Sequence, residues 1–183
     1  MSSGLGVACT QPVIEIRPAG IADMDALVLI GVESFTATYQ ASTTAADVAA
    51  HLDQYFRSGA VRRELQRPEC RYLLASVDSQ PAGFIKLRDD QHPESIPASA
   101  PLEIQLLYIR PAHQRLGLGG RLVAAAMQVA RQQAAHGLWL STWEEADWAI
   151  GFYRKAGFYP VGTQEFRVGD TPFTDILMWQ SLD

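Results

Sequence analysis

The chain has 183 residues, 48% of them apolar, and a formal charge of −5. That length suits one compact domain with a sizeable core, and the apolar content argues against extensive disorder. The negative balance, without any basic run, would repel a phosphate backbone, so nucleic acid is not an expected partner, whereas a cationic small molecule is.

Residues 1–12 lack the basic start and apolar block of a secretory signal and read as a disordered tail, with a single domain over 13–183. No apolar run approaches the ~18 residues of a membrane span, so a cytoplasmic chain without a membrane partner is expected. Residues 13–17 predict a first strand, turned by Pro18, Ala19 and Gly20. A helix follows from Asp23 to about Gln40, with Leu27, Ile30, Val32, Phe35 and Tyr39 on its apolar side. Residues 47–56 predict a second helix and 61–66 a further helical turn. Segments 72–77 and 83–87 form a hairpin around residues 78–82. Residues 89–101 hold three prolines and several polar residues, which marks a surface loop.

An apolar, β-prone strand comes next, over 102–110, closed by Pro111. Residues 119–136 read as a helix, with Leu122, Val123, Ala126, Met127 and Ala130 recurring at helical spacing. Strand 138–143 and helix 147–156 follow, and Gly157 fits the left-handed cap that ends that helix. Segments 158–161 and 174–180 complete a mostly antiparallel sheet. The order is α/β (α+β), with no repeat, second domain or linker.

Between the central strand and its helix lies Gln114-Arg115-Leu116-Gly117-Leu118-Gly119-Gly120. A glycine-rich turn opening a helix presents unpaired N–H groups at the positive end of the helix dipole, a cradle for phosphate or pyrophosphate. A plain strand–helix loop with glycines for tight turning is the alternative. A nucleoside triphosphate P-loop would need lysine and Ser/Thr after the last glycine, and neither follows Gly120. A dinucleotide fingerprint would need other glycine spacing and an acid at the end of the next strand.

The pattern Gln/Arg-x-x-Gly-x-Gly, met by Gln114, Gly117 and Gly119, resembles the acetyl-CoA loop of the GCN5-related N-acetyltransferase (GNAT) superfamily. Residues 138–158, ending in Phe152-Tyr153 and Gly157-Phe158, are similar to that superfamily's strand–helix segment. Trp143-Glu144-Glu145, the turn at 166–170, the strand at 174–178 and the first-helix stretch 32–39 look like PaiA-type spermine/spermidine N-acetyltransferases. The resemblance implies a mixed, mostly antiparallel sheet of six to seven strands with splayed central strands and flanking helices. It also implies acetyl-CoA as co-substrate, no metal, and a primary amine as acceptor, a polyamine or other small amine being favoured. Two rivals stay open: an acetyltransferase acting on a peptide or protein amine, and a catalytically weak acyl-CoA-binding sensor. Monomer and homodimer are both compatible.

Further roles follow from the resemblance. Arg115, Leu116, Gly117, Leu118, Gly119 and Gly120 would hold the pyrophosphate, with Arg115 and Arg121 adding positive charge. Backbone groups of Leu107, Tyr108 and Ile109 would pair with the pantetheine arm. Tyr153 would act as general acid on the leaving thiolate; an aromatic core residue on the stripe of Ala149, Phe152 and Ala156 is the alternative. Strand alternation puts Glu103, Gln105, Leu107 and Ile109 on one face. Glu103, eleven positions before Gln114, is the candidate base, with Glu33 or water as alternatives. Two departures stand out: Gln105 where the PaiA-like group commonly carries a second acid, and Ala146 where the family has an asparagine that contacts the cofactor.

Cys9 and Cys70 have no metal-like spacing, and His51, His92, His113 and His136 are scattered and read as surface or helix-face residues. Trp139, Trp143, Trp148 and Trp179 could form an aromatic cage for a cation, but their placement in core-forming elements favours packing.

Overall fold

A computed structural model describes residues 11–182, so Cys9 and most of the proposed tail lie outside the described residues. Seven strands form one sheet in the order β1-β2-β3-β4-β5-β7-β6. They are β1 (Ile14–Pro18), β2 (Cys70–Val77), β3 (Gln80–Arg88), β4 (Pro101–Ile109), β5 (Gly137–Trp143), β6 (Tyr159–Val168) and β7 (Thr171–Ser181). The helices are α1 (Met24–Tyr39), α2 (Ala45–Phe56), α3 (Ser58–Leu65), α4 (Leu118–Gln132) and α5 (Asp147–Lys155).

Each face of the sheet carries its own core. On one side Leu118, Leu122, Val123, Ala126 and Ala130 of α4, with Ala149 and Tyr153 of α5, pack on Ile85, Leu87 and Ile104. That spacing of three and four is the buried stripe of an amphipathic helix. On the other side Leu27, Ile30 and Phe35 of α1, Val48 and Phe56 of α2 and Val61 of α3 cover Tyr72, Leu74 and Phe84. The residues around 61 therefore form a full helix rather than a turn, because Val61 is a core residue.

Two other elements differ from expectation. The β2–β3 connection is the two-residue turn Asp78-Ser79, both at positive φ (48° and 66°), with Val77 paired to Gln80. Such mirror-image turns match the twist of a hairpin, and Asp tolerates the left-handed region. Strand β6 runs to Val168 instead of ending at 161. As an edge strand it alternates exposed polar residues such as Thr163, Glu165 and Arg167 with half-buried ones, which dilutes its apolar signal. Gly157, at φ 98°, does take the left-handed cap after α5.

The β4–β5 pair is the one parallel pair among the described strands, and it is short. It joins Pro101 to Gly137, Leu102 to Leu138 and Glu103 to Trp139, then stops. Beyond it the strands separate, leaving an unpaired edge on each and a wedge-shaped gap through the sheet.

Strand β4 also carries a bulge. Lys86 pairs with Leu106 and Leu87 with Ile104, so Gln105 is the extra residue. It shifts the alternation by one, which corrects the expectation that Glu103, Gln105, Leu107 and Ile109 share a face. Leu107 and Ile109 pack with the α4–α5 core, as do Leu102 and Ile104. Glu103 lies with Leu106 and Tyr108 on the α1 side, paired to Arg88.

Candidate active site

The glycine loop forms its cradle through three backbone features. Gly117 sits at φ 75° as the residue before α4, and Arg115 at φ 66° is left-handed as well. The first bond of the helix runs from the Arg121 N–H to the Gly117 carbonyl. The N–H groups of Leu118, Gly119 and Gly120 therefore precede the helical ladder and point out of its mouth. A side chain at Gly117 or Gly120 would project into open space, whereas at Gly119 it would press on Phe152, 3.1 Å away. Room for an anion is thus kept at two glycines, and close packing of α4 on α5 at the third.

The cradle opens into a cleft of about 1420 Å³ that follows the gap between β4 and β5. Glu103, Leu107, Tyr108, Ile109, Gln114, Arg115, Gly117, Leu118, Gly119, Gly120 and Tyr153 all line it. Leu116 does not, being 40% exposed on the outer side of the loop. Arg121 is exposed and also lies outside the lining. Tyr153 is held against Phe152 and Phe158 by edge-on ring contacts at 5.0 and 5.7 Å. Burial pushes its phenol well above the ordinary range, so it is a neutral O–H donor. Tyr153 belongs to the core and also lines the cleft.

On the α1 side the cleft floor is charged. The Glu103 carboxylate accepts a hydrogen bond from Arg88 Nε at 3.0 Å. Burial raises its pKa, and the nearby guanidinium opposes the rise. Lys86 is buried beside it, contacts the Glu64 carboxylate of α3 and lies 5.6 Å over the Tyr72 ring. Glu33, by contrast, is outside the cleft lining. Arg110 grips it in a two-pronged pair, Nε to Oε2 at 2.8 Å and Nη2 to Oε1 at 3.0 Å, which holds its carboxyl below the usual range.

Several residues of this cleft take their place in the site only through the fold. Tyr39 closes the end of α1 over Trp143, Phe166 and Phe173, with ring centroids 6.1, 6.1 and 5.6 Å away. Asp175 on β7, 5% exposed, faces the same space, and its Oδ1 has no hydrogen-bond partner. Alternation could have found it: Phe173, Asp175, Leu177 and Trp179 share one face, so a carboxylate stands at a core position. His51 lies on a face of α2, half-buried and stacked on Phe35 at 4.0 Å. Trp139 and Trp179 are packed as expected, but Trp148 is 73% exposed at the cleft rim, so packing does not account for it.

Among the described residues no group of three or more His, Cys, Asp or Glu is placed to hold a metal, and no helix is long and apolar enough to cross a membrane.

Comparison with known proteins agrees with this geometry. The model of the acetyltransferase (GNAT) family matches residues 33–158. An uncharacterized N-acetyltransferase of Lactobacillus delbrueckii subsp. lactis is 29% identical over 161 residues, covering 87% of this chain and 92% of that protein. One from Mycobacterium tuberculosis is 25% identical over 161 residues, covering 87% and 98%. The crystal structure of PaiA N-acetyltransferase from Thermoplasma acidophilum in complex with coenzyme A superposes with a TM-score of 0.75 at 21% identity, covering 92% of this chain and 99% of that one.

Proposed function

Because the chain belongs to the acetyltransferase (GNAT) family and is an N-acetyltransferase using acetyl-CoA, we propose that its acceptor is a primary amine, a polyamine or other small amine, which attacks the acetyl group directly. One observation carries this reading: a single cleft joins the glycine cradle on the α4 side to buried carboxylates on the α1 side. Carboxylates attract an ammonium and can take its proton, and neither task requires them at an anion cradle.

The residues present fit acetyl-CoA, since the open room at Gly117 and Gly120 and the free N–H groups of α4 suit a pyrophosphate. The co-substrate supplies an activated thioester carbonyl. Leu107, Tyr108 and Ile109 would present the free edge of β4 to the pantetheine arm, and an N–H near Tyr108 or Ile109 would donate to the carbonyl oxygen. Arg115 adds positive charge at the loop. Ala146 offers no side-chain hydrogen bond before α5, so the backbone contacts carry more of the binding.

Tyr153 would donate its phenolic proton to the departing sulfur. Glu103 would accept the ammonium's proton, directly or through a water. Its raised pKa makes it the better base of the two glutamates, because the Arg110 pair leaves Glu33 a weak one.

The test is CoA-thiol release from acetyl-CoA with spermidine, spermine, simple diamines, amino acids and a lysine peptide. Selective turnover with polyamines is the expected outcome. Turnover with another amine alone would discard the polyamine assignment and keep the chemistry.

A further inference from the structure

Asp175 is the second buried carboxylate of the cleft, and the proton transfers above give it no role. It sits mid-strand on β7, between Trp143 of β5 and Gln164 of β6 in the sheet pairing. Among the described residues it has no ion-pair partner, and its Oδ1 is buried without a hydrogen bond. A buried carboxylate that has a hydroxyl partner but no counter-charge still costs folding free energy, which a bound cation would offset. Burial raises its pKa and the Ser141 hydroxyl offsets part of the rise, so a cation placed beside it would favour the ionised form.

Its surroundings suit a cation. Tyr39, Trp143 and Phe166 line the cleft beside it and present aromatic surfaces, on which an ammonium is stabilised by the ring quadrupoles. A second depression of about 780 Å³ shares Trp143 and Gln164 with the cleft and is bordered by Glu144, Glu145 and Glu165. A long cationic chain could therefore leave the cleft past Trp143 and still find negative charge.

We infer that Asp175, walled by Tyr39 and Trp143, anchors a second ammonium of the acceptor, so that the substrate is a diamine or polyamine rather than a monoamine. This rests on the amine-acceptor reading above and sharpens it. The anchor is a specificity device: it touches the part of the acceptor that does not react.

Asp175→Asn keeps the shape and removes the charge. The ratio of kcat/KM for spermidine to that for butylamine should fall about ten-fold or more, mainly through the KM for spermidine. The folded variant should be at least as thermostable as the parent, which separates lost charge recognition from lost structure. A second readout does not need turnover: spermidine should raise the Tm of the CoA-loaded protein, and Asp175→Asn should abolish that shift. If no amine is acetylated but the Tm shift is present and lost in the variant, the anchor stands and the acetyl-acceptor assignment falls. An unchanged selectivity ratio in the folded variant, or a Tm shift of equal size in both proteins, would overturn the anchor.

Discussion

Arg88 donates from Nε to Glu103 across the β3–β4 pair at 3.0 Å, and it does so inside the cleft. The carboxyl is thus pulled two ways: burial raises its pKa and the guanidinium lowers it. Only the ionised form can act as a base, so the acid limb of kcat/KM should report this group above the ordinary glutamate range. Arg88→Gln removes the larger of the cationic influences that oppose burial, leaving Lys86, and should move that limb to higher pH. Glu103→Gln should abolish the limb altogether. A limb that stays in place in both variants would remove Glu103 from proton transfer.

Tyr153→Phe deletes one hydroxyl from a ring held by its neighbours. Turnover should drop about ten-fold or more, with acetyl-CoA affinity and Tm little changed. Single-turnover acetylation rates beside calorimetric binding would decide it; normal turnover would assign Tyr153 to packing alone.

Two glycines of the loop should respond differently. Gly120→Val fills open space, so stability should hold while acetyl-CoA binding weakens about ten-fold. Gly117→Ala keeps a small side chain but forces it to φ 75°, costing about 1 kcal/mol of stability. Denaturant titration and binding isotherms on both variants separate strain from occlusion.

Gly31 marks the crossing of α1 and α2. A Cβ there would overlap the Phe56 ring, which is itself buried against Phe35. Gly31→Ala should therefore destabilise the fold by about 1–3 kcal/mol. A neutral effect in denaturant unfolding would mean that the helices slide apart easily.

His51 gives a pH signature. Burial lowers its pKa from 6.5 to about 4. A histidine with a depressed folded pKa contributes stability that is complete above the unfolded value, and lost as pH falls from about 6.5 towards 4. Glu103 and Asp175, with raised pKa values, act in the opposite sense, stabilising the fold as they protonate. The Tm of His51→Asn should decline less than that of the parent between pH 6.5 and 4. Parallel Tm curves would show that the ring is solvated.

The cofactor half of the cleft was legible because its signals are local. Glycines at 117, 119 and 120 sit next to a strand and a helix of unmistakable periodicity, and Phe152-Tyr153 stands at fixed spacing before Gly157. The acceptor half was legible only as the PaiA-like stretches 32–39, 166–170 and 174–178, because it is assembled from afar. Asp175, Tyr39 and Phe166 come from β7, α1 and β6, and meet only when the sheet forms. The bulge at Gln105 was hidden for a different reason: the residues on either side of it read as an unbroken apolar strand, and one extra residue leaves no composition mark.

That bulge has a consequence for how β4 can be altered. Deleting Gln105 would restore strict alternation and leave every other residue on the face it has now, with Ile104 and Leu106 still opposite Leu87 and Lys86. Leu102 and Ile104 would stay in the α4–α5 core, and the Glu103 carboxylate would stay beside Arg88. The strand that carries an insertion can therefore lose that extra residue without moving a side chain across the sheet.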